Sequence, residues 1–173
     1  TQTITEDTTL TFSSGNGNLI SISDVDAAGN AVQVTLTVAN GTLTLSGITG
    51  LGFSVGDGTD DATMIFTGLI SDINTALAGL TYSPDANYSG TDTIGVSIDD
   101  QGNTGGPQSV TKAIAVSISA VNEAPSFTKG SNVTVAEDSG GQTIAGWATN
   151  LSPGPANEAS QTLSFLVSND NNA

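Results

Sequence analysis

Acidic side chains in this sequence gather in short groups: Glu6-Asp7, Asp24/Asp26/Asn30, Asp57/Asp60/Asp61, Asp99-Asp100, Glu123 and Glu137-Asp138. Each group lies in a turn-like stretch between alternating apolar segments. Like charges held this close oppose compaction unless a cation lies among them. Calcium takes about six to eight oxygens from carboxylates, Asn side chains and backbone carbonyls, all of which such loops supply, whereas magnesium usually keeps waters. Any single pair reads as turn chemistry, because Asp and Asn are good turn residues. The spacing of Asp24, Asp26 and Asn30 reads as a calcium loop, and Asp57/Asp60/Asp61 as a solvated loop tip.

Other chemistries lose their parts. Cysteine and histidine are both absent, which removes the usual ligands for zinc, copper, haem and iron–sulfur clusters, together with thiol and His-base mechanisms. Paired carboxylates could serve a glycosidase in principle, but turn-borne pairs, few aromatics and no cleft-building insertions argue against one. No enzyme is expected. Asp and Glu number 17 against two basic residues, for a formal charge of −15, so neither nucleic acid nor an anionic membrane is an expected partner. Apolar runs are short and broken by Thr, Ser or Gly, which leaves no transmembrane span.

The elements that must position these loops are strands. Val32, Val34, Leu36 and Val38 alternate; so do Ile94, Val96 and Ile98, and again Ile114, Val116 and Ile118. Asn40-Gly41 reads as a type I′ hairpin turn leading into Leu43 and Leu45. One antiparallel two-sheet sandwich is expected over residues 1–122, with Val34, Leu36, Ile94, Val96, Ile114 and Val116 inward. A single short helix is expected over 71–79, capped by Ser71, ended by Gly79 and flanked by anchoring Leu69 and Leu80. Residues 120–125 read as a linker, because Pro125 cannot donate to a ladder.

Beyond the linker the sequence restarts. Val133-Thr-Val135-Ala-Glu137-Asp138 echoes Thr3-Ile4-Thr5-Glu6-Asp7, and Leu163-Ser-Phe165-Leu-Val167-Ser-Asn169 echoes Val34-Thr-Leu36-Thr-Val38-Ala-Asn40. Such echoes, 131 and 129 residues apart, mark a tandem repeat. Residues 123–173 are expected to hold the linker and the first half of a second repeat, leaving its early strands uncovered.

Several motifs together resemble one family. Asp24-Val-Asp26-Ala-Ala-Gly29-Asn30-Ala31 resembles the cadherin D-x-D…G-x-N-A loop. Ala120-Val-Asn122-Glu123-Ala124-Pro125-Ser-Phe127 resembles the cadherin linker, with Ala for its first Asp, Glu for its second, and one Asn missing. Glu6 and Glu137 stand where cadherin repeats place a base glutamate, Asp85-Ala-Asn87 where D-R-E belongs, and Val96-x-Ile98-x-Asp100-x-Gly102 resembles the final-hairpin motif. The likeness is closest to cadherin-like arrays of bacterial giant adhesins and RTX-type secreted proteins. It implies an all-β Greek-key sandwich, cadherin- or immunoglobulin-like, followed by an incomplete repeat. It also implies calcium at Glu6, Asp24, Asp26, Asn30, Asp85, Asn87, Asp100, Asn122, Glu123 and Glu137. Glu6, Asp85, Asn87, Asn122 and Glu123 would face the next repeat, with Asn150 and Glu158 the donors on its side; Asp24, Asp26, Asn30 and Asp100 would face an upstream one.

The expectation is a calcium-stiffened, extracellular spacer in a bacterial surface or biofilm adhesin. Its partners would be neighbouring repeats, with homotypic or cell-surface contacts, and it would not insert in a membrane. The alternative is a carbohydrate-binding sandwich using Trp147, Tyr82 and Tyr88. Trp147 follows Ile144 and Gly146 in a strand-like stretch, which favours a core tryptophan over a sugar platform.

Overall fold

The computed structural model describes residues 1–25, 27, 29–103 and 106–170. The chain divides into two compact units, Thr1–Ala120 and Val121–Ala173. It is mostly β. In the first unit β1 (Gln2–Thr5), β2 (Leu10–Thr11), β3 (Val32–Thr37), β4 (Gly41–Thr44), β5 (Gly52–Val55) and β6 (Thr63–Gly68) precede helix α1 (Ile70–Leu77). Strands β7 (Thr81–Pro84), β8 (Gly90–Asp99) and β9 (Ser109–Ser119) follow it. Six of these form a sheet in the order β1-β9-β8-β3-β6-β5, and three form a sheet in the order β2-β7-β4. Pairing is antiparallel except between β1 and β9, which run parallel with Gln2 opposite Val116.

The alternation of β3 explains its central place. Val32, Val34 and Leu36 are wholly buried, while Gln33, Thr35 and Thr37 between them are half-exposed. Leu36 stands opposite Met64 of β6 on one side and Val96 of β8 on the other, so apolar residues meet across three strands. Leu43 and Tyr82 bring the inner face of the smaller sheet into the same core. Two sheets sharing one apolar interior is the arrangement of a β-sandwich. Of the six side chains expected inward, Val34, Leu36, Ile94, Val96 and Val116 are buried, and Ile114 packs half-buried against the core.

Local expectations needed correction in two places. Asn40-Gly41 is not a hairpin turn: β4 pairs with β7, so these residues carry the chain from one sheet to the other. The close approach explains the glycine, because a Cβ at Gly41 would collide with the backbone carbonyl of Ser83 and the ring of Tyr82. Helix α1 begins at Ile70 rather than after Ser71, and no side chain caps it; Leu69 precedes it and is exposed. Its buried face is Ile73, Ala76 and Leu77, and Leu80 beyond it is fully buried.

At that crossover a polar link joins the two sheets. Asp92 of β8 is 6% exposed, and its carboxylate accepts from the N–H of Asn40 (2.9 Å), Ala39 (3.3 Å) and Thr93 (2.7 Å). The Tyr82 hydroxyl of β7 lies 2.9 Å from Asp92 Oδ2 and 3.0 Å from Asn40 O. Burial pushes the Asp92 carboxyl upward, but bonds from Asn40, Thr93, Tyr82 and Ala39 outweigh it and hold the group below the usual carboxylate range. Burial, then the bonded carboxylate, raises Tyr82 above the usual tyrosine value.

The second unit is smaller. Strands β10 (Ser126–Lys129) and β11 (Ala148–Ser152) pair antiparallel, and a 3₁₀ turn spans Ala156–Glu158. Phe127 and Phe165 meet edge to face at 5.2 Å. The stretches expected as early strands of a second repeat, 133–138 and 163–169, are not in strands. Val133, Val135, Phe165, Leu166 and Val167 are exposed, and Leu163 is half-buried. Trp147 is exposed rather than core, its indole N–H donating to Ser131 O at 2.9 Å.

Two outcomes follow for stability. Asp92→Asn should cost about 1–3 kcal/mol in urea unfolding at neutral pH, because it weakens a bonded, buried carboxylate. A depressed folded pKa stabilises the fold above the unfolded value and loses that contribution as pH falls through the folded one. Wild-type stability should therefore drop as pH falls below about 4, and Asp92→Asn should flatten that limb; an unchanged acid limb would remove Asp92 as its cause. In hydrogen exchange, amides of residues 32–37 and 94–98 should be strongly protected, whereas 133–138 and 163–168 should exchange rapidly. Slow exchange across the latter in monomeric protein would mean that the second unit buries more than its exposed side chains indicate.

Candidate functional site

Strand register sorts the acidic loops of the first unit to its two ends. The start of β3 and the end of β8 lie together, since Gln33 stands opposite Asp99. The ends of β1 and β9 meet at Thr5 and Ser119, opposite in direction to that first end. Asp24, Asn30 and Asp100 therefore sit at one end, and Glu6, Asp7, Asp85 and Asn87 at the other.

At the first end the loop before β3 is pinned by apolar and polar contacts together. Ile22 and Ala27 are buried, and the Asn74 side chain of α1 bonds both Ile22 N (2.8 Å) and Ile22 O (2.9 Å). Asn30 N donates to Ala27 O at 2.7 Å, and Gly29 takes φ 82°, a left-handed turn that suits glycine. Asp100 is 8% exposed; its Oδ1 accepts from Gly102 N and Gln108 N, both at 2.8 Å, closing the β8–β9 connection. Asn103 Nδ2 reaches Ala31 O at 3.0 Å, tying that connection to the β3 loop. Asp24 and Asp100 line one cleft of about 470 Å³ with Ser23 and Gln108. Asp24 also lines a second, smaller one with Asn30 and Ser71. Asp26 lies outside the described residues.

At the second end Glu6 is buried, its N–H bonded to Ser119 O at 2.9 Å. Asp7 Oδ1 accepts from Asn87 N at 3.0 Å, which joins the Glu6-Asp7 turn to the Asp85–Asn87 turn. Asp85 N bonds Asn40 O, and Tyr88 N bonds Asp85 O. Two pieces of chain far apart in sequence thus form one acidic corner. In the second unit Glu137 is exposed, in a turn whose Asp138 has φ 57° against 56° for Asp7. The two aspartates share a positive φ, while the glutamates before them differ in burial.

Asn122 and Glu123 belong to the second unit. Asn122 Oδ1 accepts from Gln161 Nε2 at 3.1 Å, and Glu123 N donates to Glu158 Oε1 at 3.0 Å. The Asp57/Asp60/Asp61 tip is occupied with itself: Asp61 Oδ2 accepts from Asp57 N and Gly58 N, and Asp57 Oδ1 from Thr59 N. That is turn chemistry.

Every donor in these groups is an oxygen. Among the described residues, no three His, Cys, Asp or Glu side chains converge tightly enough to hold a metal by themselves. The loops instead offer pairs of carboxylates with amide and backbone oxygens beside them. Sequence reading missed Asp92 as a structural acid, although it shares the inward parity of Ile94 and Val96. Glu158 stood out in sequence as an acid of the second unit, but its burial gave no sequence signal. Comparison of the chain with protein-family models, with curated proteins and with solved structures gives no match.

Proposed function

We propose that this chain is a structural and adhesive extracellular module, a calcium-stiffened spacer of a bacterial surface or biofilm adhesin, with a cadherin-like Greek-key sandwich as its first unit. The observation that carries the reading is the gathering of Asp24, Asn30 and Asp100 at one end of the sandwich and Glu6, Asp7, Asp85 and Asn87 at the other. A spacer needs its cation donors at the two ends, where neighbouring modules meet, and its faces free of a reaction cleft. The crossover from β3 to β4 between sheets and the two echoes in sequence support the Greek-key, repeated-module reading.

Oxygen donors on irregular loops suit calcium, whose coordination is flexible, better than magnesium. Ions bound only by the ordered arrangement would stabilise it by mass action. Extracellular modules commonly bind at ~10⁻⁴–10⁻³ M, so stiffening would follow calcium outside the cell. Against the sugar-binding reading, Tyr82 is fully buried and bonded to Asp92, and the Tyr88 hydroxyl is bonded to Thr91 O.

Calcium at about one hundred times its dissociation constant should stabilise the first unit by about 2.7 kcal/mol per ion, and chelator should abolish the gain. Asp24→Asn combined with Asp100→Asn keeps the Oδ1 acceptors but removes two charges. That variant should bind less calcium in equilibrium dialysis and lose most of the calcium-dependent rise in melting temperature. In a chain extended by the preceding repeat, whose donors complete this end, equal uptake by wild type and variant would exclude it as a calcium site.

A further inference from the structure

The inward residues of the large sheet join the core, and the alternate ones form a second face that looks away from it. In its middle Gly95 of β8 stands opposite Ala113 of β9 on one side and Thr37 of β3 on the other, and Thr93 stands opposite Ala115. Beyond β3 the rows continue, with Thr35 opposite Ile65 of β6 and Thr37 opposite Thr63. Gly95, Ala113 and Ala115 therefore make a shallow trough over β8 and β9, while the threonines and Ile65 make a low ridge over β3 and β6. Threonine facing outward is ordinary on an exposed strand. What sets this face apart is its lack of charge.

Among the described residues the acids of the first unit lie elsewhere. Glu6, Asp7 and Asp85 are at one end, and Asp24 and Asp100 at the other. Asp57, Asp60 and Asp61 share a loop tip, Asp72 is on α1, and Asp92 is buried. Asp99 alone has outward parity, at the last residue of β8, where its carboxylate accepts from Gln101 N and Nε2 at 2.8 and 3.0 Å. Lys112 has the opposite parity, standing across from Val96. The smaller sheet differs, because its Thr44 hydroxyl bonds Asp60 Oδ1 at 3.2 Å. Another chain of charge −15 meets like charge wherever these acids are grouped, but can approach the middle of the large sheet without meeting a carboxylate.

We propose that this face docks a second copy of the chain, sheet against sheet about a two-fold axis, with the ridge of each copy in the trough of the other. Hydroxyls suit such a self-contact because each both donates and accepts, as Ser97 Oγ and Thr111 Oγ1 do within one copy at 3.0 Å. The face is also large enough. Its strands run four, eleven, ten, six, six and four residues. At about 4.8 Å between strands and about 3.3 Å per residue they present roughly 650 Å². Two such faces exceed the ~1,200 Å² at which specific interfaces begin. A sugar is a poorer fit, because no aromatic ring has outward parity on these strands. The contact gives the adhesive module proposed above a surface for meeting its own kind. It requires no calcium, so it stands or falls apart from the stiffened-spacer reading.

The test is sedimentation equilibrium of the full chain over a concentration series, in chelator and in calcium chloride, at about 0.05 M and about 0.5 M sodium chloride. Wild type is compared with Ala113→Glu and Thr35→Glu on the face, and with Ser14→Glu, which adds the same charge in an exposed turn outside the sheet. Wild type should show a monomer–dimer equilibrium that tightens at the higher salt, where the repulsion between two acidic chains is screened. Each face variant should raise the dissociation constant about tenfold or more by setting like charges against one another. Ser14→Glu should leave it unchanged. Urea unfolding identifies any variant that has lost its fold, and the two face variants are read separately. Wild type that remains monomeric at ~1 mM overturns the proposal. A folded face variant that dimerises as wild type does also overturns it, because the contact then lies elsewhere, as does equal weakening by Ser14→Glu. A dimer that chelator dissolves assigns the contact to calcium at acidic loops and overturns it as well.

Discussion

One buried carboxylate sets the course of the chain through the first unit. Asp92 stands in the large sheet, Tyr82 in the small one, and residues 39–40 are the strand-to-strand passage between them. Apolar packing alone is non-directional and would tolerate several ways of laying one sheet on another. Hydrogen bonds to a buried carboxylate tolerate few, because each donor left without its partner costs free energy. The passage at Gly41 has to run where Ala39 and Asn40 can present their N–H groups to Asp92. The Tyr82 ring must lie against that glycine to place its hydroxyl. Such a link says less about how stable the sandwich is than about which sandwich forms.

The two ends depend on this arrangement. Asn40 O receives the Asp85 N–H, so the passage that Asp92 holds also holds the first residue of the Asp85–Asn87 turn. That turn meets Asp7, and Glu6 follows β1, whose parallel pairing with β9 brings it beside Ser119. At the opposite end a different device does the positioning: the amide of Asn74 grips the loop at Ile22 from helix α1. The acidic loops are therefore not loose excursions. They are fastened by backbone and amide bonds, several of them to the carboxylates of Asp7 and Asp100 themselves, which holds the acidic groups in place instead of letting them relax away from one another.

Sequence periodicity made the interior legible because a strand's inward parity repeats every second residue; Val34, Leu36, Ile94 and Val96 could be read off directly. What it could not convey was pairing. Asn40-Gly41 has the composition of a tight hairpin, yet its glycine answers to a steric approach by Ser83 and Tyr82, residues over forty positions away in the chain. The helix was visible in Ile73 and Leu77, but its start was not, since its first turn has no capping side chain to announce it. Of the candidate ligands, those tied to turn residues such as Asp7 and Asn87 were visible as types, and only the fold brings their turns together. Trp147 misled for a related reason: flanking apolar residues imply burial only where a second layer exists to cover them.

The second unit turns that last point into a physical argument. Where the first unit buries a continuous set of large apolar side chains, the second buries a carboxylate. Each large apolar side chain left in water forfeits on the order of 1.5–3 kcal/mol, so a short segment in this state has little of the usual driving force. A folded arrangement of such a segment needs a term of another kind. In the proposed calcium reading a cation would supply one, scaling with its concentration and vanishing when it is withdrawn. Lys129, the one basic residue of this unit, bonds Asn132 Oδ1. Residues 121–170 thus lack the continuous apolar core, fastened by Asp92, on which the first unit is built.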